Sequence, residues 1–208
     1  MKKAAGRAIV EQKVADFHKN EPSYLSKSFQ ETEARTRFID PFFQALGWDF
    51  EQTHLPRDEW DVHREYSQKE RDTIKKPDYA FRVRRKPRFF VEAKAPHVPL
   101  TDKRPVFQAK KYAFSSHGRV PVIVITDFQE FRVFNAYQKP LYDNPLQGLI
   151  KDLDLAYTQY PAKWDLLWDT FSKEAVLDGS IDLLAKKVAR NTKTLDDEFL
   201  TEDRKSTV

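Results

Sequence analysis

Two carboxylates and an ammonium group stand close together in the middle of this chain. Asp78 opens the run DYAFRV, and Glu92 and Lys94 lie two residues apart in RFFVEAK. Both runs are rich in aromatic and β-branched residues, and the basic, proline-containing turn RRKP between them predicts a hairpin. Side chains two apart on a strand share a face, so Glu92 and Lys94 project together while Val91 and Ala93 face the other way. If the strands pair, Asp78 comes beside Glu92. Two converging carboxylates suit a hard divalent cation such as Mg²⁺, which takes oxygen ligands and keeps several waters. The matching chemistry is phosphodiester hydrolysis, in which the cation polarises the phosphate and activates a water while Lys94 stabilises the attacking hydroxide or the developing negative charge.

Other readings stand beside this one. In a chain that is 33% charged, an E-x-K triplet alone more often marks the solvated face of a strand. Here Phe89, Phe90 and Val91 flank it and imply burial, where a glutamate needs a partner or a purpose. A structural ion pair between Glu92 and Lys94 would also satisfy that need.

The elements that must hold these residues follow from periodicity. Residues 5–20 predict a short covering helix. In QETEARTRFIDPFFQAL (30–46), Ala34, Phe38, Phe42, Ala45 and Leu46 recur at helical spacing before Gly47, and Pro41 predicts a kink or a break near Ile39. Residues 51–77 read as a long polar loop with an edge strand, anchored by Trp60 and Tyr66. After the hairpin, Asp102–Ser116 reads as a helix, and PVIVIT and FRVFN as two strands joined at Asp127–Glu130. Beyond Asn144, the runs LQGLIKDLDLAY, PAKWDLLWDTFSKEAV and SIDLLAKKVA read as helices.

Five stretches in order, ETEARTRFIDPFFQALGWD, KPDYAF, RFFVEAKAP, QAKKYAF and VPVIVITDFQEFRVFN, resemble the PD-(D/E)xK nuclease domain at the N-terminus of Type IIG restriction-modification enzymes and of the motor subunits of Type I enzymes. The resemblance covers about residues 30–136. It implies an α/β, restriction-endonuclease-like core with a mixed central sheet flanked by helices. It also implies that Asp78, Glu92 and the Ala93 carbonyl are metal ligands and Lys94 the catalytic lysine. Glu33 matches the acidic residue that supports the metal shell, with Arg37 one turn later; Glu31 is a weaker rival, two residues from that register. Gln108 and Tyr112 match a Q-x-x-x-Y motif beside the active site, although Tyr112 also reads as a core aromatic and Gln108 as a helix-surface residue. The segment WDLLWDTFSKEAVLDGSIDLLA with LDDEFL resembles the connector to a methyltransferase, which favours Type IIG. The implied division is a nuclease domain over 1–143, a helical connector over 144–195, and a tail or the start of a further domain over 196–208.

By the same resemblance the chain takes Mg²⁺, with Mn²⁺ able to substitute, and acts on double-stranded DNA. Methyltransferase and target-recognition domains beyond this chain would supply specificity; a single active site cuts one strand, which leaves open whether two copies meet transiently on DNA. A repair or recombination nuclease, or a DNA-binding scaffold that does not cut, could use the same core. The excess of 36 Lys and Arg over 32 Asp and Glu fits an anionic partner without demanding one. Arg82, Arg84, Arg85, Lys86 and Arg88 either grip phosphates or form a solvated turn, and Lys110 and Lys111 are better placed for DNA. No cysteine is present and the five histidines are scattered, which removes thiolate chemistry and histidine metal sites. No glycine-rich phosphate loop occurs, so ATP hydrolysis and methyl transfer are not expected. No apolar run is long enough to span a bilayer, and a cytoplasmic location is expected.

Overall fold

The computed structural model describes residues 1–52, 54–65, 77–115 and 120–187. Tyr66, Lys75, Lys76, His117 and the tail with LDDEFL lie outside the described residues. The chain opens with α1 (Lys3–Lys19) and the short α2 (Glu21–Tyr24). It continues through α3 (Glu31–Ala34), a π-turn (Arg35–Ile39) and α4 (Asp40–Ala45). Strands β1 (Val62–Arg64), β2 (Tyr79–Val83) and β3 (Lys86–Ala93) come next, followed by α5 (Lys103–Ser115), β4 (Val122–Thr126), β5 (Glu130–Asn135) and β6 (Leu149–Ala156). Helices α6 (Trp164–Phe171) and α7 (Lys173–Leu177) complete the named elements, and residues 180–187 are also helical.

The six strands lie in sequence order in one mixed sheet. All neighbours are antiparallel except β3 and β4, which run parallel because α5 carries the chain back across one face. The architecture is the expected α/β one, compatible with a restriction-endonuclease-like core. The sheet separates two apolar clusters. Phe81, Phe89, Val91, Ala93, Val124 and Phe131 face the larger one, which α1, α4 and α6 close. Phe90, Ile123, Ile125 and Phe134 face the smaller one beneath α5. The alternation in β3 therefore sets Glu92 on the α5 face with Phe90, while Val91 and Ala93 point away, as the period of two requires.

Three expectations are corrected. LQGLIKDLDLAY is strand β6 rather than helix: Leu153, Leu155 and Tyr157 are buried, with Asp154 and Ala156 exposed between them. The expected boundary at 143/144 thus falls between two paired strands of one sheet. Pro41 does not break its helix, since the preceding turn widens to π geometry and Asp40 N–H bonds Arg35 O five residues back. The β2–β3 turn shrinks to Arg84–Arg85, both at positive φ (50° and 66°), and Lys86 and Pro87 join β3. Helices α1 and α6 are stitched together: Trp164 Nε1–H donates to Lys3 O at 2.9 Å, and Lys3 Nζ pairs with Asp165 and Asp169 at 2.9 and 3.0 Å.

Candidate active site

The C-terminal end of β3 and the start of β2 bring Asp78, Glu92 and Lys94 together. Lys94 Nζ donates to Glu92 Oε1 at 2.8 Å and to Ala93 O at 2.6 Å. Asp78 Oδ2 accepts the Ala93 N–H at 2.8 Å, which locks the aspartate onto the strand that carries the other two. Lys94 N–H bonds Thr126 O at 3.0 Å, so β4 fixes the same corner from the other side. Glu92 Oε2 is buried and has no hydrogen-bond partner among the described residues. A buried carboxylate oxygen left this way is costly unless something binds it.

At the site, the register of α3 and the π-turn differs from the expected one by two residues. Glu31 lies 3.7 Å from Lys94, and Arg35 lies 3.6 Å from Asp78. Glu33 and Arg37 are exposed, and Glu33 Oε2 accepts the Gln30 N–H at 3.0 Å in a capping box at the start of α3. The reason is rotational. Ala34 and Phe38 mark the core-facing stripe, and on a helix Glu31 and Arg35 flank that stripe while Glu33 and Arg37 point from the opposite side. Arg35, which the sequence reading missed, could have been found from that stripe.

Charge balance shapes the site. Burial, then Asp78, pushes the Glu92 carboxyl up to about 7, against the pull of Lys94. Burial also raises Glu31, Lys94 opposes it, and Asp78 adds to it. Lys94 is itself raised, because Glu92, Glu31 and Asp78 together outweigh the burial that would lower it. The site holds a surplus of negative charge, the condition that favours a cation. Its donors are two carboxylates and a main-chain carbonyl, with Glu31 behind; among the described residues no three His, Cys, Asp or Glu side chains converge as a metal cluster. That donor set fits an oxygen-seeking ion that keeps waters in its shell.

From α5, Tyr112 comes within electrostatic reach: burial, then Glu92 and Asp78, pushes its hydroxyl up to about 12. Gln108 is half-buried one turn before it on the same face. Lys110 does not face this site. It is 3% exposed, lies over the Phe134 ring and donates to the carbonyls of Gln147 at 2.7 Å and Pro145 at 3.3 Å, and burial pushes it down to about 8. Its expected role toward DNA is corrected to that of a clamp on the β5–β6 loop; Lys111 is the exposed neighbour. Arg82 is likewise buried, bonding Arg85 O, and Arg88 reaches Asp182 at 3.4 Å. Of the basic turn, Arg84, Arg85 and Lys86 are exposed, and Arg85 is paired with Glu59.

Residues 51–140, which span β1–β5 and the whole Asp78–Lys94 corner, match the family described as Type I restriction enzyme R protein N terminus. The chain carries a restriction-enzyme N-terminal domain. This domain is also 30% identical over 177 residues to the Escherichia coli Type II restriction enzyme and methyltransferase RM.Eco57I. The aligned region is 82% of this chain and 17% of that protein, so the restriction-enzyme domain spans about a sixth of its relative's length. No solved structure matches it significantly.

Proposed function

We propose that this chain is the DNA-cleaving module of a Type IIG restriction-modification enzyme of the PD-(D/E)xK kind, hydrolysing phosphodiester bonds of double-stranded DNA with Mg²⁺. The observation that carries the reading is the buried, unpartnered Glu92 Oε2 beside Asp78 and Lys94. Asp78, Glu92 and Ala93 O would hold the ion, which when bound supplies Lewis acidity and a more acidic water. Glu31, in the position expected of Glu33, adds negative charge behind them. Lys94, already on Glu92, presents its ammonium where an attacking hydroxide or an equatorial phosphate oxygen needs stabilising. Gln108 and Tyr112 line the α5 side and orient the carboxylates or the DNA backbone.

Lys110 and Arg82 are committed to carbonyl oxygens, which takes two of the expected cations away from phosphates. The module then binds DNA weakly by itself, and domains beyond it, a methyltransferase and a target-recognition unit in the cytoplasm, supply sequence choice. One site cuts one strand, so two copies meet on the DNA to cut both.

The test is relaxation of supercoiled plasmid by the purified chain in Mg²⁺, Mn²⁺ or EDTA, alongside Asp78→Ala, Glu92→Gln and Lys94→Ala. Nicking that needs the metal and is lost in all three variants supports the reading. Cutting that persists in EDTA or in Glu92→Gln refutes it, as does failure of the folded chain to bind either cation or DNA.

A further inference from the structure

Asp78 is held from two sides: Ala93 N–H fixes Oδ2, and on the Oδ1 side stands the Arg35 guanidinium, 3.6 Å away through Nη1. Arg35 is itself constrained. Its Nε–H donates to Tyr79 Oη at 2.9 Å and its guanidinium lies over the Tyr79 ring, 4.8 Å from the centroid. Tyr79 is fully buried, and its hydroxyl donates onward to Asp40 Oδ1 at 2.7 Å, while Asp40 Oδ2 is paired with Arg64. The line Asp78, Arg35, Tyr79, Asp40, Arg64 thus crosses from the cutting corner through the π-turn and the start of α4 to the edge strand β1. Every link is a hydrogen bond or an ion pair, and only the Asp78 end opens on the site. Arg35 sits in the π-turn, so the widened turn that accommodates Pro41 also sets its height against β2.

We infer that Arg35 is a positioning residue: braced by Tyr79 and Asp40, it fixes the Asp78 carboxylate in the orientation that receives the metal. This rests on the proposed metal site, and it concerns how that site is held. A rigid planar guanidinium holds its N–H groups in a fixed fork that engages Tyr79 and Asp78 at once, whereas a lysine's point-like ammonium on a flexible stem cannot reproduce that fixed geometry. Tyr79, which lies off the site, acts through Arg35.

The experiment is calorimetric titration of this chain with Ca²⁺, comparing wild type, Arg35→Lys, Tyr79→Phe, the double variant and Asp78→Asn, with thermal unfolding of each. Both single substitutions keep the charge, so a change in affinity reports geometry. Each is expected to weaken Ca²⁺ binding by about tenfold, the usual scale for a partner that orients a metal ligand. The double variant is expected to bind no more weakly than Arg35→Lys, because Tyr79 works through Arg35. A purely structural Tyr79 would lower the melting temperature and leave the Ca²⁺ affinity of the folded protein unchanged, which would overturn the inference. It is also overturned if the single effects multiply, or if Arg35→Lys weakens binding of a DNA duplex and not of Ca²⁺, the behaviour of a phosphate contact. Should wild type and Asp78→Asn bind Ca²⁺ equally or not at all, the metal site itself is wrong; loss in Asp78→Asn with wild-type binding in Tyr79→Phe removes only the positioning role.

Discussion

At the scale of single residues, the site is a small group of charges whose signs do not cancel. Glu92 keeps a proton up to about 7, whereas in an unfolded chain it has lost it near 4.5, so the folded state binds more protons between those values. Stability from this group is therefore present at low pH and is lost as pH rises from about 4.5 to about 7. Thermal scans in EDTA should show the melting temperature falling across that window in the wild type, and a shallower fall in Glu92→Gln. Equal slopes would mean that Glu92 titrates normally. Lys94 makes a different demand. Replacing it by Met removes the ammonium and keeps the length, so cation binding should persist while single-turnover cleavage slows by about 10² or more, the scale for losing one donor to developing negative charge. Loss of Ca²⁺ binding in Lys94→Met would show that the lysine builds the metal site instead.

At the scale of elements, the distinction between Glu31 and Glu33 becomes a matter of helix rotation. Glu33→Ala opens the capping box and should cost about 1 kcal/mol in denaturant unfolding with cleavage unchanged. Glu31→Gln should leave stability nearly untouched and lower cleavage. If the two results were exchanged, the register of this helix at the site would be wrong. The strands around the site were legible in the sequence because each has a period its neighbours reinforce: DYAFRV, RFFVEAK, PVIVIT and FRVFN all pair as adjacent strands, and VEAK puts Glu92 and Lys94 on one face for a simple geometric reason. Two things were not legible. Strand β6 contains Leu149, Ile150, Leu153 and Leu155, which match helical spacing as well as an interrupted alternation. The register shift against β5 near Arg132–Phe134 is what reconciles that run with a strand, and only its pairing with β5 decides between the two. Lys110 resembled a phosphate contact because no local pattern reveals that a loop 35 residues later will offer it carbonyls. Helix α1 meets a further constraint, since a Cβ on Gly6 would stand 2.2 Å from Ala45 O and 2.9 Å from the Trp164 ring. Gly6→Ala should force α1 off α4 and cost about 1–3 kcal/mol, read as a lowered denaturation midpoint.

At the scale of the whole molecule, the segment after residue 143 is part of what closes the larger cluster. Tyr160, Trp164, Leu167 and Phe171 are all buried there, Tyr160 against Phe42, Phe128 and Phe131 and Phe171 against Phe131, and β6 covers the edge of β5. Each such side chain is worth about 1.5–3 kcal/mol of burial, so together they rival the 5–15 kcal/mol by which a typical domain is stable. A chain ended at residue 143 should therefore fail to fold, giving poorly dispersed amide spectra. A cooperatively folded 1–143 fragment would show that the segment is an independent unit. The stitch between Lys3 and Trp164 carries a consequence for how the protein is made. Chains leave the ribosome N-terminus first, so α1 emerges long before the tryptophan that donates to its Lys3 carbonyl and the phenylalanine that closes the cluster behind it. The Asp78–Lys94 corner is synthesised by residue 94, yet the wall at its back is not complete until residue 171 has emerged. A nascent chain thus carries Asp78, Glu92 and Lys94 for some time before it has a finished core to hold them.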